Sequence, residues 1–170
     1  MPRPTTSEYG QFYQTYIDKT TDEDALQVLE ESYEPLQQFL SQIPASKADY
    51  AYAPGKWTVK QMLQHMIDTE RIFGYRALCI SRGEQKPLHG FEENDYAANA
   101  TAANRTLTDL IEELLLVRKS IILLYRHLND SDLRKLGISN NFPLSANTVA
   151  FIVVGHALHH KRILEERYFG

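Results

Sequence analysis

Four stretches of this chain repeat apolar side chains at the α-helical period for about six turns each, and no other feature narrows the fold so far. The first runs from about Asp22 to Gln42, with Thr21 and Asp24 in capping-box spacing and Ala25, Val28, Leu29, Leu36, Phe39 and Leu40 along one stripe. Pro35 lies inside it and predicts a kink. The second runs from about Val59 to Arg82, opened by Thr58 and Gln61, with Trp57 in position to staple onto Met62 and Gly83 as its stop. The third, about Leu107 to Leu128, starts at Thr106 with Asp109 and is closed by Asn129-Asp130. The fourth, about Ala146 to Tyr168, follows an N-cap at Ser145. Each stripe must be buried against another helix, so the expected fold is all-α, a four-helix bundle.

The connections refine this. Residues 84–105 form a link too long for a simple turn, which predicts a crossover from one end of the bundle to the other and leaves the second and third helices parallel. Leu136 to Leu144, with Asn140-Asn141 between apolar flanks, predicts a small hairpin. Tyr9, Phe12, Tyr13, Tyr16 and Ile17 have helical spacing and predict a short aromatic helix within an N-terminal extension, residues 1–20. A length of 170 residues suits one domain, with no repeat or second unit evident.

Composition removes several function classes. A single cysteine, Cys79, makes neither an intramolecular disulfide nor a cysteine-rich zinc module, so any metal must be held by His, Asp or Glu. A net charge of −4 with no basic block argues against nucleic acid as a partner. The first 20 residues lack the apolar core of a signal peptide, and no stretch reaches the roughly 20 apolar residues of a membrane span. A cytoplasmic protein with a small-molecule substrate and no membrane partner is the expectation.

Histidines interrupt the last stripe. On a helix of about 100° per residue, His156 and His160 point into the same apolar seam one turn apart, a spacing that lets two imidazoles chelate one ion. Ala157 stands where the metalloprotease zinc helix carries its glutamate, so a protease is excluded. His65 on the second helix also faces inward and is the candidate third ligand; a hydrogen-bonded core histidine is the alternative for each. His159, near the rim, is either a substitute ligand or a group supporting the ligands. Asp68 is placed either to orient His65 or a bound water, or to make a surface ion pair. Arg76, at nearly the same angle as His65, is placed either to receive an acidic group of a substrate or cofactor, or to pair with a carboxylate such as Glu166. Glu70 and Arg71 read as solvated or structural pairs, Cys79 as a small buried residue, and His89 and His127 as surface groups. Phe91 and Tyr96, with His89, are candidates to cover one mouth of the bundle. The Glu-x-x-His pairs of di-iron bundles are absent. Three neutral imidazoles leave a dication its full charge and an open position, which suits catalysis.

Three blocks carry a wider likeness: Ala53-Pro54-Gly55-Lys56-Trp57-Thr58 through His65 to Tyr75-Arg76-Ala77-Leu78; Pro87-Leu88 and Gly90-Phe91 to Tyr96; and Gly155-His156-Ala157-Leu158-His159-His160 to Arg167-Tyr168. With them the chain resembles the DinB-like (DinB/YfiT-type) superfamily of metal-binding four-helix bundles. The resemblance implies an up-down-down-up bundle whose metal ligands fall on His65, His156 and His160. It further implies a divalent transition metal, zinc or nickel foremost, and a homodimer. Relatives of this type include thiol-dependent transferases and isomerases, so the implied activity is a metal-dependent S-transferase using a low-molecular-weight thiol. A metal-dependent hydrolase, and a non-catalytic ligand-binding or dimerisation bundle, are the alternatives.

Overall fold

The computed structural model describes residues 2–169. After two single 3₁₀ turns come α1 (Gln14–Ile17) and α2 (Ala25–Ser41), then α3 (Val59–Ser81), α4 (Glu93–Asn99), α5 (Leu107–Tyr125) and α6 (Asp130–Arg134). A hairpin of β1 (Leu136–Ser139) and β2 (Phe142–Ser145) leads into α7 (Ala146–Ile163), which ends in a π-helical turn over Leu164–Phe169. The four long helices α2, α3, α5 and α7 are those of the sequence pattern.

Their starts are set by local chemistry. Thr58 and Gln61 close the expected capping box at α3, while Thr106 and Ser145 accept from the amides of Asp109 and Thr148. At α2 the cap is Asp24, whose side chain accepts from the amides of Leu26 and Gln27, and not Thr21. The helix continues through Pro35. Asn129 does not merely stop α5: its side chain caps α6. The aromatic N-terminal segment is not one helix. Gly10 packs on Phe142 with no room for a Cβ, and the chain there takes extended backbone between two turns.

Cross-helix contacts give the directions. Along α3 and α5, Arg71 meets Glu113 and Gly74 meets Ile121, and Gln64 meets Arg105 just before α5, numbers rising together, so the two are parallel. Trp57 meets Tyr168 and His65 meets His156, so α3 and α7 are antiparallel. Glu30 meets Arg126 and Tyr33 meets Lys119, so α2 and α5 are antiparallel too. The bundle is therefore up-down-down-up, with the crossover between α3 and α5. Asn140 (φ 49°) and Asn141 (φ 66°) make the hairpin turn in the left-handed region that asparagine tolerates. The crossover is fastened to this hairpin, Leu88 bonding to the Ile138 carbonyl at 2.9 Å, while Tyr9 bridges Leu144.

One polar group ties all four helices. Arg118 on α5 is fully buried; it bonds to both carboxylate oxygens of Glu70 on α3 (3.0 and 2.5 Å), to Ser32 Oγ on α2 (2.9 Å) and to the Val153 carbonyl on α7 (3.4 Å). Glu70 is therefore a core residue rather than a solvated one, whereas Arg71 forms a partly exposed pair with Glu113. Among the described residues no helix is long and apolar enough to cross a membrane.

Candidate metal centre

His65 projects from α3, and His156 and His160 project from α7, into the seam between these helices. Nε2 of His156 lies 3.0 Å from Nε2 of His65 and 3.0 Å from Nε2 of His160, and one nitrogen of each ring falls within 4.8 Å of the others. The three residues are 5%, 5% and 7% exposed. Burial, helped by the charge of nearby His159, pulls His65 down from 6.5 to about 4. Burial also holds His156 and His160 well below the usual histidine value, with the neighbouring imidazoles adding to the effect. All three are neutral at pH 7, the form that ligates metal.

Nitrogens this close need an explanation. A neutral imidazole nitrogen offers either one N–H or one lone pair, so at most one of the two 3.0 Å contacts at His156 can be a full hydrogen bond. A cation accepting all three lone pairs satisfies them together, and the donor set of three imidazoles fits a divalent transition ion. His160 Nδ1 is buried without a partner.

The surroundings fix the rings. Trp57 lies against His65 with ring centroids 4.8 Å apart, and Tyr16 from α1 lies edge-on to His156 at 5.4 Å. Gly155 makes the second contact possible, because a Cβ there would fall 2.0 Å from the Tyr16 carbonyl oxygen. A cavity of about 250 Å³ opens beside His65 and His156; Tyr13, Thr69, Phe73, Arg76, Phe91 and Glu93 are among its walls.

Of the other expected residues, His159 lies edge-on to Tyr16 and His160, outside the three converging nitrogens and outside the cavity wall. Asp68 does not orient His65. Its Oδ1 accepts from Gln64 Nε2 at 2.9 Å in a separate polar cleft beside Arg105, because a step of three residues turns it about 60° off the His65 face. Arg76 does line the cavity, and its alternative partner Glu166 is bonded to Arg162 instead. Phe91 reaches the cavity, whereas His89 and Tyr96 face an adjoining one. Cys79 is half-buried and not part of the core. Glu93 at the start of α4, whose Oε2 is 3.9 Å from His65 Nε2, escaped the sequence reading because nothing periodic marks the crossover. Trp57, read as a staple, and Tyr16, read as part of a short aromatic helix, both pack against the imidazoles.

Residues 28–164 match the family model of the DinB superfamily. The chain belongs to the DinB superfamily. Among solved structures, this superfamily member is similar to YfiT from Bacillus subtilis, described as a probable metal-dependent hydrolase with an unusual four-helix bundle topology. The identity is 21% and the TM-score 0.72, over 98% of this chain and 90% of that one. It is also similar to a mycothiol-dependent maleylpyruvate isomerase at 11% identity and a TM-score of 0.68, over 81% of this chain and 58% of that one. At these identities the likeness establishes the shared bundle. No curated protein matches the sequence.

Proposed function

We propose that His65, His156 and His160 hold a divalent transition metal ion and that the protein is a metal-dependent enzyme acting on a small thiol, an S-transferase. The observation that carries this reading is the convergence of three buried, neutral imidazoles, two of which, His65 and His156, line a cavity. When bound, the ion supplies Lewis-acid charge that favours the thiolate over the thiol of a molecule entering the cavity. The chain supplies no thiol near the imidazoles: Cys79 is 14 residues from His65 on α3, about 21 Å along the axis. The thiol must therefore come from outside.

Trp57 and Tyr16 hold the His65 and His156 rings in place, and their aromatic surfaces keep water from the imidazole edges. Phe91 covers the cavity from the crossover side. A hydrolase reading is favoured by one observation, the Glu93 carboxylate close to His65, which can take a proton from a water in the cavity.

The test begins with metal content. Protein purified without a histidine tag is expected to contain about one transition metal ion per chain, lost in each of the His65→Ala, His156→Ala and His160→Ala variants. Absence of metal from the parent refutes the reading. The metal-loaded protein is then assayed with small thiols and electrophiles for thiol consumption, and with ester and amide panels for hydrolysis. Hydrolysis that disappears in Glu93→Gln, without thiol consumption, decides for the second reading.

A further inference from the structure

Two guanidinium groups are buried in this bundle and their surroundings differ. Arg118 is matched by the Glu70 carboxylate. Arg76, 2% exposed, has no carboxylate paired with it among the described residues. Its Nη2 donates to the His89 carbonyl at 2.9 Å, it lies near the Tyr13 side chain, and its carbon lies 4.8 Å from the centre of the Phe73 ring. One hydrogen-bonded carbonyl leaves most of its five N–H donors available, and a buried cation without a counter-charge is costly to keep.

A second group on the same wall is also without a partner. Thr69 is 3% exposed and its Oγ1 makes no hydrogen bond, yet it lines the cavity between His65 and Arg76. His65, Thr69, Phe73 and Arg76 recur every three or four residues, so they form one stripe along α3 facing the cavity. The stripe sets distances. Thr69 is four residues from His65, about 6 Å along the axis. The Arg76 guanidinium folds back over Phe73, eight residues from His65 and about 12 Å along.

Cavity acids stand away from this cation. Glu93 approaches His65, and Glu92 accepts from the amide of Asn94 as the cap of α4. Among the described residues no lysine lines the cavity, so the positive charge at the Arg76 end matches a carboxylate better than a doubly charged phosphate.

We propose that the cavity binds a small, elongated molecule bearing a carboxylate. Arg76 receives the carboxylate, Thr69 bonds a hydroxyl or amide midway along the molecule, and the reactive end reaches the three imidazoles. The identity of that reactive end rests on the proposed metal function; the carboxylate end rests on Arg76 alone. A thiol cofactor of this class carries its acid group about two helical turns from its sulfur.

Calorimetry with simple probes tests this without an activity assay. Zinc-loaded protein is titrated with ω-mercapto acids from mercaptopropionate to mercaptoundecanoate, and with the matching ω-mercapto amides. A charge-assisted bond to Arg76 is expected to make the longer acids about ten- to hundredfold tighter than their amides, with little preference for the shortest. Arg76→Gln should abolish the preference, and Arg76→Lys should restore part of it. Equal binding of acid and amide at every length by the parent overturns the proposal even if no variant folds, and so does a preference that survives in Arg76→Gln. The metal reading is separated by repeating the comparison in His156→Ala with thiol-free alkanoates and their amides. A retained acid preference there supports the carboxylate site whatever the metal analysis gives, and its loss overturns the claim that this end stands on Arg76 alone.

Discussion

Substituting either member of the buried Glu70–Arg118 pair should destabilise the bundle, but with different pH behaviour. In Glu70→Gln the guanidinium stays at zero exposure with its charge unmatched, and arginine does not shed its proton. Breaking a buried pair from one side costs about 3–5 kcal/mol, out of roughly 5–15 for a whole domain. The melting temperature should fall by roughly 6–20 °C, with no recovery at low pH. In Arg118→Met the stranded group is a carboxylate, which can escape by taking up a proton. Burial already pushes Glu70 above the usual carboxylate value despite the opposing pull of Arg118; without that pull it rises further. A folded-state value above the unfolded one means stability is fully present below the unfolded value and lost as pH rises. Lowering the pH from 7 to 5 should therefore recover part of the Arg118→Met deficit and none of the Glu70→Gln deficit. Urea unfolding at both pH values, each variant referred to the parent at the same pH, reads this directly. A Glu70→Gln deficit below about 1 kcal/mol, or deficits with the same pH trend, would refute the view that Arg118 depends on this carboxylate.

Two further outcomes can be checked simply. Gly155→Ala places a Cβ 2.0 Å from the Tyr16 carbonyl oxygen, so α1 must move off α7 at a cost of about 1–3 kcal/mol, seen as faster proteolytic cleavage near residue 17; unchanged cleavage contradicts the close approach. For metal-free protein, the depressed folded-state value of His65 means stability is present above 6.5 and lost as pH falls toward about 4. The loss is about 3 kcal/mol from this residue, so chelated parent should lose more stability than chelated His65→Leu between pH 7 and 4.5. Equal losses would show that His65 is not held neutral.

Features set by neighbouring residues were legible in the sequence. The capping box of Thr58 and Gln61, the Ser145 cap and the Asn140-Asn141 turn are decided within a few residues, and helical angles alone aim His65, His156 and His160 inward. What depends on a distant partner was not. Arg118 lies on the apolar stripe between Leu114 and Ile121, a visible anomaly, but only the assembled bundle brings Glu70, Ser32 and Val153 to it. Asp68 and Arg76 lie on one helix with the same kind of open alternatives; the structure places Asp68 with Gln64 beside Arg105, away from the imidazoles, and Arg76 on the cavity wall with no paired acid among the described residues. The aromatic spacing of residues 9–17 suggested a helix because periodicity does not register that Gly10 must meet Phe142.

The buried ion pair and the histidine cluster are neighbours, and this bears on why so costly a pair is kept. Glu70 is five residues beyond His65 on α3, and Val153 is three before His156 on α7, so Arg118 grips both ligand-bearing helices close to the cluster. Apolar side chains tolerate sliding of one helix over another; a bidentate guanidinium does not. A slip of one residue is about 1.5 Å, several times the roughly 0.2 Å tolerance of metal–ligand distances. The polar tie thus favours the register in which nitrogens from two antiparallel helices converge to 3.0 Å. Its charge also adds to burial and the neighbouring imidazoles in keeping His156 neutral, which leaves that nitrogen's lone pair free for a cation.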